Sequence, residues 1–306
     1  MKKLASLFVA LFSLVWLTGA GWLPLAGTSA SGLMLDGITT GIKAAYSTRK
    51  LLTVYAGNAV QVQRASDNAT QNIGFVSNSL DTSSLGTFCS GTSCNVITWY
   101  DQSGGGFNLI QGQTIFAKCP IIYQSGAVNA INTKAAPLFV TANLTSLTNA
   151  SLSANPTNTL FQNAVAKVSI AAFGALTGGQ GSSGGLEWRV DQTTGDLELL
   201  KAGVASIGTS SSGVSSLTGA VVESQYNSST GAWSFWINAS AVGTGTSAQT
   251  MTASNFLLGA GFGLNADQDN LDGSVGELIM YDLVGGIPSG SRTAIEANQK
   301  AYWGTP

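Results

Sequence analysis

The run Phe88-Cys89-Ser90-Gly91-Thr92-Ser93-Cys94, followed after Asn95 by Val96-Ile97-Thr98-Trp99-Tyr100-Asp101-Gln102-Ser103-Gly104, organises the front half of this chain. Two cysteines enclose four small residues. A disulfide over so short a loop needs a turn, which Gly91 and the flanking Ser and Thr supply. The expected pair is Cys89–Cys94, with two reduced, buried thiols as the alternative. Asn95 to Tyr100 is rich in β-branched and aromatic residues and reads as a strand. Asp101 to Gly106 is its polar, glycine-rich turn. The third cysteine, Cys119, is left over and reads as an apolar filler. A disulfide implies an oxidising compartment or an extracellular particle.

Composition points the same way. Only 9% of the 306 residues are charged, and 38 are Gly. That mix suits many short strands joined by turns. Net charge is −2 with no basic block, so nothing draws the chain to nucleic acid. There is no histidine, which excludes Ser-His-Asp and Cys-His catalysis and His-ligated metal sites. Acid–base chemistry must come from the 15 carboxylates, or from Tyr, Lys or Cys.

At the N-terminus, Lys2-Lys3 precede an apolar run from Leu4 to Leu17 and the small residues Thr18-Gly19-Ala20. Residues 1–30 read as a signal peptide. Residues 4–25 also fit an uncleaved membrane anchor or a hydrophobic peg in an assembly. Residues 31–306 read as one domain.

Along that domain, Ile42 to Tyr55 has mixed helical spacing and predicts a short helix. Ala59 to Arg64 alternates and predicts a strand, with a buried Arg64–Asp67 pair supporting the turn after it. Leu80 to Phe88 predicts a short helix capped by Asp81 or Thr82. Val168 to Phe173 and Ala232 to Asn238 predict strands. Gly174 to Gly185 and Ser210 to Ser216 read as loops. Phe256 to Gly259 and Gly273 to Asp282 predict core strands. A last helix, capped by Ser289 or Ser291, runs to Trp303, with Glu296 and Lys300 paired and Gly304 as its stop.

The end of the chain, with Gly273, Glu277, Leu278, Tyr281, Asp282, Trp303 and Gly304, resembles the end of a concanavalin-like or laminin-G-like jelly roll. The expected fold is therefore an all-β jelly-roll sandwich with short edge helices and a C-terminal helix. The front half is more specific. Ala45 to Leu51, Val62 to Asn68, Phe88 to Cys94 and Tyr100 to Gly104 occur in the order seen in the catalytic domain of arabinofuranosidase B enzymes, glycoside hydrolase family fifty-four. The same pattern is similar to modules of bacteriophage virion and tail proteins.

Enzymes of that family are retaining and need two carboxylates about 5 Å apart. The resemblance assigns the substrate-binding Asp to Asp191. It puts Thr193 where the nucleophilic Glu belongs and Gly263 where the acid belongs. Glu187, Asp196 and Glu198 near the first position, and Asp267 and Asp269 near the second, are the carboxylates that could substitute. Trp188, Trp233 and Trp236 are candidate sugar-stacking aromatics, although most strand aromatics are core. Trp233 and Trp236 should point to opposite faces. Asp267, Asp269 and Asp272, followed by Gly273, have calcium-loop spacing but lack the later Glu and flanking helices of an EF-hand. They read as a solvated acidic turn, with calcium the alternative and no other cofactor expected. Glu277 and Asp282 read as structural. With both family positions vacated, the expectation is a non-catalytic module that binds glycan or other virion subunits on an extracellular surface. The alternative is a secreted retaining α-L-arabinofuranosidase that uses displaced carboxylates.

Overall fold

The computed structural model describes residues 32–112, 115–171, 173–180, 184–261 and 269–306. The expected leader, residues 1–30, lies outside them. Among the described residues no helix is long and apolar enough to cross a membrane.

Two strands sit at the centre because both of their faces are covered. Thr159–Val168 is buried along nearly its whole length and pairs antiparallel with Gly273–Leu283 on one side and Gly219–Asn227 on the other. Ile42–Ser47 extends this sheet beyond Gly273–Leu283, and Ala232–Ile237 and Ser240–Thr246 extend it beyond Gly219–Asn227. A second sheet runs in the order Thr70–Ile73, Val60–Arg64, Cys94–Trp99, Leu109–Gln111, Leu147–Ser153, Asn255–Leu258, Gly174–Gln180, Leu186–Val190, Asp196–Lys201 and Ala205–Gly213. Short pairings of Ile121–Gln124 and Leu138–Phe139 join the two. The expected all-β jelly-roll sandwich is the fold observed.

Alternation sorts the side chains into layers. Leu160, Ala164, Leu278 and Met280 of the first sheet meet Trp99, Trp188, Leu199 and Phe256 of the second in one continuous core. On the other face of the first sheet, Phe161, Ile279 and Tyr281 pack with Leu35, Leu51 and Ile295. Helix α2, Ser289–Trp303, closes that face and ends at Gly304, whose left-handed backbone (φ 64°) returns an N–H to the Lys300 carbonyl. Trp303 lies flat over Gly276, where a Cβ would come within 2.3 Å of the indole. Helix α1, Thr82–Phe88, is capped by Asp81, which accepts hydrogen bonds from the Ser84 N–H at 2.9 Å and its hydroxyl at 2.6 Å. The Cys89–Cys94 disulfide joins this helix to the next strand. Cys119 is buried and free, and burial pushes its thiol up to about 12, so it is inert at neutral pH.

Several local expectations are corrected. Ile42 to Tyr55 holds no helix; Ile42–Ser47 is a strand whose last four residues are all buried. One face meets the inter-sheet core and the other the layer under α2, so the period-two signal vanishes. Gly174 to Gly185 is not all loop, because Gly174–Gln180 is a strand. Its glycines admit close neighbours: a Cβ on Gly178 would fall 1.8 Å from the Gly261 carbonyl. Ala205–Gly213 likewise continues as strand through part of the expected Ser210 loop. The expected strand at Val168 instead ends there, after Thr159–Val168. Helix α2 has Pro288 at its cap position and no side-chain cap, and Glu296 pairs with Arg292, not Lys300. The Arg64–Asp67 pair forms at 2.7 Å but is exposed.

Candidate functional site

On Leu186–Val190 the residues Leu186, Trp188 and Val190 face the inter-sheet core. Glu187 and Arg189 therefore point to the opposite, outer face of the second sheet. The neighbouring strand places Glu198 directly across from Arg189. The chain after Leu258 returns over this face: Gly261 covers Glu187, and a Cβ there would lie 2.7 Å from the Glu187 carboxyl carbon. Asp269 also lies against this face. Its backbone is left-handed (φ 52°), and its carbonyl accepts the Ala175 N–H at 2.9 Å.

Arg189 is the hub. Its Nε donates to Glu198 at 2.8 Å, its Nη1 donates to Asp269 at 2.7 Å, and the same Nη1 lies 3.9 Å from Glu187 Oε1. The guanidinium stacks 4.3 Å from the Phe173 ring centroid, which fixes its plane. Three carboxylates thus surround one cation. Asp269 and Glu198 side chains are 18% and 16% exposed, whereas Glu187 is 1% exposed. Burial, and next the Asp269 charge, hold the Glu187 carboxyl well above the usual carboxylate range. Its Oε1 has no hydrogen-bond partner as a carboxylate. Protonation of Glu187 relieves both the desolvation and the repulsion from Asp269. Two carboxyls with divergent environments, one protonated and one ion-paired, can divide acid and nucleophile roles.

The other sequence candidates lie elsewhere. Asp191 closes the hairpin after Val190, accepting the Thr193 and Thr194 N–H groups at 2.7 and 2.9 Å. These bonds, the Thr194 N–H foremost, hold its carboxyl below the usual range despite slight burial. Thr193 is exposed in that turn. Trp188 is fully buried, so its indole packs in the core and offers no face to a sugar. Trp233 and Trp236 do point to opposite faces. Trp233 packs against the core, wedged against Gly208, Gly243 and Gly245. Trp236 lies beneath the Arg292 guanidinium at 4.8 Å. Gly263 and Asp267 lie outside the described residues. Among those described, no cluster of acidic, Cys or His side chains could hold a metal ion, and Asp269 is taken by Arg189.

Glu277 and Asp282 are structural in their contacts. Asp282 accepts the Thr157 and Asn158 N–H groups, each at 2.8 Å. Glu277 binds Arg49 at 2.8 Å and Gln299 at 2.8 Å under α2. Sequence reading missed the rest of that buried network. Arg292 Nη1 donates to both Glu223, at 2.6 Å, and Glu296, at 2.9 Å.

Residues 34–170 match a family model described as alpha-L-arabinofuranosidase B, catalytic. Over 107 residues the chain is 36% identical to a probable alpha-L-arabinofuranosidase B of Aspergillus terreus, a match covering 33% of this chain and 20% of that enzyme. Over 78 residues it is 42% identical to alpha-L-arabinofuranosidase B of Emericella nidulans, covering 25% and 15%. Its fold is similar to that of an arabinofuranosidase solved with arabinofuranosyl-alpha-1,2-xylobiose, with a TM-score of 0.65 and 19% identity over 87% of this chain and 63% of that one. The chain matches a fifth or less of the length of these curated relatives.

These similarities overturn the expectation that the chain is a non-catalytic virion or tail module, and the leaning against an enzyme that went with it. Each of these relatives is named an arabinofuranosidase. The family match ends at residue 170, before Thr193 and Gly263. Sheet pairing brings Glu187 and Asp269 together on Arg189.

Proposed function

We propose that this protein is a retaining glycoside hydrolase of the α-L-arabinofuranosidase type, acting on arabinose-bearing polysaccharide outside the cell. The observation that carries this reading is the Glu187–Asp269 pair, with both carboxyls on one Arg189 nitrogen. The similarity to arabinofuranosidases supports the substrate class, and the Cys89–Cys94 disulfide supports an oxidising, extracellular setting.

In this reading Glu187 carries the proton and gives it to the leaving oxygen once Gly261 moves off its carboxyl, while Asp269, ion-paired with Arg189, attacks the anomeric carbon. Glu187 then removes a proton from the water that frees the sugar from Asp269, regenerating both groups. Arg189 positions Asp269 and leaves its other edge to Glu198. The test is release of 4-nitrophenol from its α-L-arabinofuranoside. Glu187→Gln and Asp269→Asn should each lower kcat by about 1,000-fold or more, whereas Asp191→Asn should leave most activity. Unchanged activity in both site variants, or its loss in Asp191→Asn alone, would sink the assignment.

A further inference from the structure

A polar hollow of about 410 Å³ opens on the front half of the domain, between residues 50–58 and 74–78. Tyr55 and Phe75 form one wall, their rings edge to face at 6.3 Å and 76°. Lys50, Asn58, Ser77 and Asn78 supply the polar lining. Gly57 and Gly74 also line it and add no side chains of their own.

The hollow is built rather than incidental. The Tyr55 hydroxyl donates to the Asn58 carbonyl at 2.8 Å, which fixes the ring. A Cβ on Gly57 would fall 2.4 Å from that hydroxyl, so the close approach requires glycine. Ser77 and Asn78 are both left-handed (φ 49° and 63°) and form the tight turn of a small hairpin, Phe75–Val76 with Ser79–Leu80. The Lys50 N–H donates to the Asn78 carbonyl at 2.9 Å and ties the hairpin to the opposite wall. The backbone and the tyrosine are therefore held, while the side chains of Lys50, Asn58, Ser77 and Asn78 make no hydrogen bonds to described residues.

We propose that this hollow is a second carbohydrate site, separate from Glu187 and Asp269, that holds one neutral sugar unit; that the unit is a pentose rests on the proposed function. A sugar hydroxyl both donates and accepts, which matches a set of amides, a hydroxyl and one ammonium better than it matches an anion or an apolar ligand. The C–H face of the ring packs on an aromatic wall. A site of this kind would keep the enzyme on a polymer without taking part in bond cleavage. The binding claim does not require that Glu187 and Asp269 be catalytic.

The test is titration of the full-length protein with xylotetraose and, separately, arabinotetraose, followed by amide NMR and calorimetry. The Gly57 and Gly74 amides should shift with at least one of the two. Asn78→Gly keeps the left-handed turn and removes the amide; Lys50→Met keeps the stem and removes the charge. Each should weaken binding about 5-fold, and Tyr55→Ala more, with 4-nitrophenyl arabinofuranoside hydrolysis unchanged in the first two. The proposal is overturned if neither sugar binds the wild-type protein, if the shifts fall away from Gly57 and Gly74, or if Asn78→Gly and Lys50→Met bind as the parent does. Absence of hydrolysis in every form, with binding intact, would strike the catalytic reading and leave this site standing.

Discussion

Raising the pH should loosen the layer under α2, and Glu223 sets the size of the effect. Glu223 is fully buried and shares Arg292 Nη1 with Glu296, whose second oxygen has no partner. One guanidinium cannot neutralise two buried carboxylates. Burial, and next the Glu296 charge, push Glu223 from 4.5 up to about 7, against the hydrogen bonds from Asn163 and Arg292 that pull it down. The other groups facing this cluster are Gln299 on α2 and, through it, Glu277 with Arg49. A carboxyl raised in the folded state is protonated in both states below pH 4.5, so its contribution is intact there. As pH rises toward 7, the folded state holds a proton that the unfolded chain has released, and stability falls. Above 7 the loss levels off. Between pH 5 and pH 8 this one group should remove about 2.5 kcal/mol, or about 5 °C of Tm in a domain of this size. The assay is thermal unfolding followed by near-ultraviolet circular dichroism at pH 5, 6, 7 and 8. Glu223→Gln cannot ionise and should make the profile shallower over that range, leaving the part that Glu187 contributes. Parallel profiles for wild type and Glu223→Gln would refute the reasoning, because the proton would then belong to another group.

Hydrolysis should show a basic limb set by Glu187, whose carboxyl burial holds well above the usual range, since its proton must be present for the first step; a profile with no basic limb would place the proton elsewhere. Replacing Cys89 and Cys94 together with Ser releases a loop of five-residue separation and should cost about 2 kcal/mol by loop entropy, read as a lower urea midpoint that reductant no longer changes. Gly276→Ala drives a methyl into the Trp303 ring, 2.3 Å away, and should cost about 1–3 kcal/mol, with faster amide exchange in α2 than in Thr159–Val168; equal exchange would show that the clash is absorbed elsewhere.

Legibility followed locality. The Cys89–Cys94 loop, the Asp81 cap, the Gly304 stop and the strands near Val60, Cys94 and Gly273 are each specified by residues a few positions apart. Those signals were present in the sequence, as was the family resemblance in the front half. Where a strand is covered on both faces, as at Ile42–Ser47, alternation disappears and pattern reading mistakes it for helix. Where glycine serves close approach, as at Gly178, composition mimics a loop.

The sequence by itself determined the fold class, the disulfide, the lack of histidine chemistry and the short set of carboxylates from which any catalytic pair must come. Glu187 and Asp269 were both in that set, yet 82 positions separate them in the chain. Only the tertiary structure decided which carboxylates meet, because the meeting depends on the Leu186–Val190 face, on the cross-strand partner of Arg189 and on the ion pair of Arg189 with Asp269. The protonation of Glu187 was decided there too: a carboxyl's charge is set by the water it loses and the charges it gains, and both are properties of the packed molecule.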